Sequence, residues 1–148
     1  MNNKIELKTE PKQVVDQETA LQDFERWIAI KRIREQKRQA NAKDKHEDLI
    51  VSSIIEGDIT IDENGYIDHK LIFPLTDSEG IETLSKLRYI PRIPGKLLNI
   101  KLKGVDATDG DKRLLAYGSA LTQTNMGLLS NLDTEDSRIM QAIVMYFL

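Results

Sequence analysis

The chain has 148 residues with 21 Lys and Arg, 24 Asp and Glu and no cysteine; this length suits one domain around one core, and the lack of cysteine excludes disulfides, thiolate metal sites and cysteine nucleophiles. A net charge of −3 gives the molecule no overall attraction to nucleic acid, so any basic patch must be local. The longest wholly apolar run, 142–148, falls far short of the roughly 20 residues that a membrane span needs.

Residues 1–15 are polar, unpatterned and include Pro11, and they read as a flexible leader without the apolar segment of a secretory signal. A cytosolic setting is the default expectation. The next segment, 16–56, reads as helical. Ala20, Leu21, Phe24, Trp27 and Ile28 fall on one side of a helix whose apolar face requires a cover. Phe24 and Trp27 suit core or helix docking better than a ligand cage. Lys31, Arg32, Arg34, Lys37, Arg38, Lys43 and Lys45 follow, opposed only by Glu35 and Asp44, and suggest a solvated basic arm over 31–45. Asp44 and Glu47 are spaced as a capping box for a short helix carrying Ile50, Val51, Ile54 and Ile55 and closed by Gly57.

From Asp58 the apolar spacing changes to a period of two, the mark of a β-hairpin. A two-residue turn at Asn64-Gly65 would put the apolar residues of the two strands on opposite faces. A three-residue loop, Glu63-Asn64-Gly65, with Gly65 in the left-handed region pairs Ile61 with Ile67 and Ile59 with His69. Ile59, Ile61, Ile67 and Leu71 then share one buried face. A turn at 76–80 leads to a third strand over 81–89, with Ile81, Leu87 and Tyr89 on one parity.

Pro94 is placed to open a helix over 96–103 that Gly104 closes. Thr108 and Asp111 bracket the start of another, with Leu114, Tyr117, Gly118 and Leu121 on one face. The acidic stretch 133–136 suits the positive end of a final helix dipole, and that helix is expected to reach Leu148. Its inner face is Ile139, Ala142, Ile143 and Tyr146, with Met140, Val144 and Phe147 on the flank. The fold class that results is α+β: a small antiparallel three-stranded β-meander packed with helices, a helical C-terminal half, and an added N-terminal helix with its basic arm. The expected divisions are 1–15, 16–56 and 57–148.

Catalytic and metal chemistry find little support in these residues. With Gly65 in the sixth position, a calcium loop would begin at Thr60 and end at Leu71, which cannot supply the bidentate carboxylate. His46 and His69 lack partners at zinc-ligand spacing. There is no phosphate loop of the G-x-x-x-x-G-K type and no G-x-S-x-G elbow, and Asp106, Asp109 and Asp111 suit turn chemistry. No catalytic, metal or cofactor residues are assigned. The basic arm lacks interleaved aromatics, which disfavours nucleic acid as its partner.

From Asp58 onward the ordered features Leu71-Ile72-Phe73-Pro74-Leu75, Leu87-Arg88-Tyr89-Ile90-Pro91 and Gly95-Lys96-Leu97 are followed by Leu114-Leu115-Ala116-Tyr117-Gly118-Ser119-Ala120-Leu121-Thr122. Then come Leu129-Ser130-Asn131-Leu132-Asp133-Thr134-Glu135-Asp136 and Ile143-Val144-Met145-Tyr146-Phe147-Leu148. This order resembles the phage tail assembly chaperones of the E/41/14 type over residues 58–148, while the helix holding Trp27 and the basic arm lie outside the pattern. The resemblance implies a non-enzymatic protein in the host cytoplasm that binds the tape measure protein during tail-tube assembly and is absent from the finished virion. Helix-in-groove binding is the expected mode, and coating a long filament favours self-association of the chaperone. Met140, Val144, Phe147, Phe24 and Trp27 are the candidate partner-binding residues. The alternatives are a structural tail protein retained in the virion, and a nucleic-acid-binding regulator using the basic arm.

Overall fold

A computed structural model describes residues 13–148; the expectation for the leader lies outside the described residues as far as residue 12. Helix α1, Gln17–Lys31, begins where the Asp16 carboxylate accepts a hydrogen bond from the Thr19 amide at 2.8 Å, and it stops where Arg32 enters the left-handed region at φ 54°. Ala20, Phe24, Trp27 and Ile28 are buried along it as their spacing requires. Leu21, expected on that stripe, is 38% exposed.

The solvated arm is corrected. Residues 35–43 form helix α2, Glu35–Lys43, which lies against the rest of the N-terminal segment through Arg38. The Arg38 guanidinium reaches Glu25 on α1 at 2.6 Å and Glu47 on α3 at 3.4 Å, and Asn41 is buried. Arg32, Arg34, Lys43 and Lys45 are exposed, whereas Lys31, Ile33, Lys37 and Arg38 are half-buried. Helix α3, His46–Ile55, starts after Lys45 in the left-handed region at φ 65° and has no side-chain cap. The Asp44/Glu47 capping box therefore does not form, because Glu47 turns to Arg38 instead. Gly57, at φ 82°, follows the end of α3 as expected.

Strands β1 (Ile59–Ile61), β2 (Ile67–Thr76) and β3 (Glu82–Tyr89) form an antiparallel sheet in the order β1-β2-β3. Ile59 pairs with His69 and Ile61 with Ile67, and Gly65 has φ 88°. The Asp62 carboxylate accepts hydrogen bonds from the Asn64 and Tyr66 amides and so organises the loop. Ile59, Ile61, Ile67 and Leu71 are buried on one face. On β3, Leu87 and Tyr89 are buried, but Ile81 precedes the strand and is 59% exposed. The reason is a break in alternation: between the pairs Lys70↔Lys86 and Leu75↔Leu84, residues 71–74 of β2 face Ser85 alone. The inward parity of Leu87 and Tyr89 does not carry past such a bulge.

Helix α4, Gly95–Leu102, is capped by Pro94 itself, one position earlier than its expected role. Helix α5, Gly110–Thr122, is capped by Asp109, which accepts from the Lys112 amide; Thr108 instead bonds Asp106. On the expected face of α5, Gly118 and Leu121 are buried and Leu114 and Tyr117 half-buried. After α6, Met126–Leu129, helix α7 spans Thr134–Val144, capped by Asp133, and gives way to turns before Leu148.

The described residues thus hold seven helices and one three-stranded antiparallel sheet, an α+β fold with a helical C-terminal half. One core spans the segments 16–56 and 57–148. Its aromatic centre joins the two: the Tyr146 ring meets Trp27 at 5.2 Å and Phe24 at 5.9 Å, both edge-on.

Candidate functional site

Four of the five candidate partner-binding residues are in the core. Phe24, Trp27, Met140 and Val144 are each at most 1% exposed, which corrects the expectation that Met140 and Val144 form an open flank. The final helix is covered by α3, α5 and the sheet, so its apolar circumference closes inside the molecule. Phe147 is half-buried and takes part in a groove.

That groove, of about 510 Å³, is lined by Lys31, Arg32, Ile33, Arg34, Gln36, Lys37, Arg92, Ile93, Leu98, Tyr117, Tyr146 and Phe147. Its position follows from local chemistry. Arg32 ends α1 in the left-handed region and turns the chain, which places Ile33 and the first turn of α2 across from Arg92 and Ile93. The C-terminal turn after α7 brings Phe147 between them. Ile33, Ile93, Leu98, Tyr117 and Phe147 supply apolar surface, and five cations supply the charged lining with no acidic side chain among the lining residues. None of the five takes part in an ion pair among the described residues.

Lys31 is the innermost of these cations in chemical terms. Its Nζ lies over the Phe147 ring at 3.1 Å from the centroid, 5.8 Å from the Trp27 ring, and donates to the Pro91 carbonyl at 3.2 Å. Burial, together with the like charges of Arg92 and Lys37, lowers its pKa to about 7. Lys37 Nζ donates to the carbonyl oxygen of Leu148. In the groove wall the Tyr146 hydroxyl is buried and has no hydrogen-bond partner, and burial raises its pKa. The groove therefore combines apolar surface, unneutralised positive charge and a buried hydroxyl, a set that suits an apolar group accompanied by carboxylates.

A second cluster escaped the sequence reading. His69 is fully buried on β2; its Nδ1 lies 3.0 Å from the Tyr89 hydroxyl and its Nε2 3.0 Å from Asp136 Oδ1. Asp136, expected only to face a helix dipole, also accepts from the Ile72 and Phe73 amides at 2.9 and 3.0 Å. Burial opposes its ionisation, but His69 and the two amides together hold its pKa below the usual carboxylate value. The ionised carboxylate can only accept, so the Nε2–H of His69 donates to it, and Nδ1 shares the second hydrogen bond with the Tyr89 hydroxyl. All three side chains are sealed from solvent, so the cluster fixes the irregular segment of β2 to α7 and touches no groove. Its signal in the sequence was the parity of His69, inward between Ile67 and Leu71.

No described helix is long and apolar enough to cross a membrane. Comparison with known proteins adds no relative: no family model, no curated protein and no solved structure matches the chain.

Proposed function

We propose that the chain is a non-enzymatic phage or prophage tail assembly chaperone that works in the host cytoplasm, and that its groove holds an apolar segment of the tape measure protein bordered by acidic side chains. The observation that carries this reading is the groove at Phe147, where apolar surface and five basic side chains line one concavity with no acidic side chain among them. The ordered likeness over residues 58–148 supports the partner. Ile33, Ile93, Leu98 and Phe147 would exclude water from an amphipathic helix, and the cations would orient it through its carboxylates. Each contact is small, and repetition along a long partner raises the combined affinity.

The test is fluorescence anisotropy of labelled helical fragments of the tape measure protein, with wild type, Phe147→Asp and Arg34→Glu/Arg92→Glu. Binding by wild type and loss in both variants, at unchanged circular dichroism, is the expected result. Equal binding by all three removes the groove from the reading. The cation cluster also favours a second reading, a nucleic-acid-binding regulator. A single-stranded oligonucleotide that binds more tightly than any protein fragment, with affinity falling steeply with salt, would establish it instead. Mass spectrometry of purified virions separates a chaperone, which is absent, from a structural tail protein, which is retained.

A further inference from the structure

The turn joining β2 to β3 has the composition that the groove lacks. Residues 76–83 are all exposed, and they carry Asp77, Glu79 and Glu82 around Ile81 without a single Lys or Arg. Ile81 is 59% exposed, and Phe73 on the adjoining bulge is 52% exposed. The tip is well formed rather than loose: the Asp77 carboxylate accepts from the Glu79 and Ile81 amides at 2.8 and 3.0 Å. An isoleucine in so exposed a position, ringed by acids, is an apolar anchor with a charged border.

The two surfaces cannot meet within one molecule. The groove draws Arg92 and Ile93 from the chain just past Tyr89, whereas the tip closes the other end of the β2–β3 ladder. A strand rises about 3.3 Å per residue, so the eight residues of β3 hold the tip roughly 25 Å from the Tyr89 end. We propose that the tip of one copy, with Ile81 as anchor and Asp77, Glu79 and Glu82 as its charged border, seats in the groove of a second copy against Arg32, Arg34, Lys37 and Arg92. The contact is heterologous, because each copy offers a tip at one end and a groove at the other. Such contacts propagate head to tail into rings or open chains rather than closing as two-fold dimers. The proposal uses the groove but does not depend on the identity of the partner proposed above.

Sedimentation velocity across a concentration series tests it with two variants altered only at exposed positions, Glu79→Gln/Glu82→Gln at the tip and Arg34→Glu/Arg92→Glu at the groove, a pair chosen so that the two altered surfaces do not attract each other. The wild type is expected to associate progressively, less so at high salt, and each variant alone is expected to associate about tenfold more weakly or worse. The diagnostic sample is the mixture of the two variants. The tip variant retains a working groove and the groove variant a working tip, so together they form 1:1 dimers that do not grow. A wild type that stays monomeric throughout overturns the proposal, as does association that neither variant weakens, or a mixture that forms no dimer while the wild type associates. The tape measure reading fails separately, because the tip variant should still capture an acidic tape measure fragment in its intact groove.

Discussion

Asp136 engages both carboxylate oxygens in hydrogen bonds to groups far from it in sequence, His69 and the amides of Ile72 and Phe73. Replacing it with alanine leaves a buried imidazole and two amides without their acceptor and should cost about 3–5 kcal/mol, measured by urea unfolding. The pH dependence follows from the lowered folded-state pKa: above the ordinary value of 3.8 the stabilisation is fully present, and it is lost as pH falls through the lower folded value. Lys31 acts in the opposite sense. Its folded pKa of about 7 lies below the ordinary 10.5, so the folded state releases a proton that the unfolded chain keeps. Stability should therefore rise with pH between about 7 and 10.5, and thermal melting of Lys31→Met should lack that rise. The same proton bears on the groove. A bound carboxylate favours protonated Lys31, so affinity for an acidic fragment should weaken as pH climbs above 7, at constant ionic strength.

Gly65 was readable because its evidence is local. A five-residue stretch decides between two registers, and only the one with Gly65 at positive φ keeps the isoleucines together. Val at this position would strain the backbone by about 1–3 kcal/mol, and its Cβ would approach Ile30 Cγ2 to 2.9 Å and Pro91 Cβ to 3.2 Å, so the melting temperature should fall well below wild type. The His69–Asp136 bond joins residues 67 positions apart. Parity showed that His69 faces inward, but no spacing rule names a partner at that distance. The groove was hidden for the same reason: its lining comes from 31–37, 92–98, 117 and 146–147.

At the scale of elements, the basic arm shows how a charge run misleads. Composition describes how many cations a segment carries, and not which acids tertiary structure will set beside it. Arg38 meets Glu25 and Glu47 from two different helices, so 35–43 docks instead of floating. Because these pairs are partly exposed, Arg38→Met should cost no more than about 1 kcal/mol, while reversal of the exposed Arg34 should stay within about 0.5 kcal/mol. Helix α7 was legible as a buried element from its apolar circumference, but its length was not, since the turns after Val144 keep the same composition. Val144 is fully buried. Val144→Asp should therefore unfold or severely destabilise the chain, and Ile143→Ala should cost about 2–5 kcal/mol; circular dichroism melting checks both. A Val144→Asp protein as stable as wild type would require this side chain to face a partner instead.

For the molecule as a whole, the α+β class and the strand order follow from periodicity, whereas the joining of 16–56 to 57–148 depends on aromatic contacts that periodicity does not contain. Trp27 and Phe24 cover Tyr146 and α3 packs on α7, so a fragment comprising only 57–148 would expose the apolar side of α7. Such a fragment should show helical circular dichroism without a cooperative melt, and hydrogen exchange should find its α7 amides unprotected. A fragment that melts cooperatively would show that 57–148 folds as an independent unit.

Strand β1 is only three residues long, so most of the neighbouring edge of β2 runs on without a partner strand. An open edge of this kind invites another chain to add a strand and begin aggregation. Here the invitation is withdrawn at the backbone itself: the Ile72 and Phe73 amides are already committed to Asp136, and Pro74 has no N–H to offer. The bulged segment is thereby made a poor template despite the apolar side chains of Ile72, Phe73 and Leu75. A carboxylate from a distant helix thus doubles as a guard against fibril growth, and its loss should appear as thioflavin-positive aggregates at temperatures below the melt.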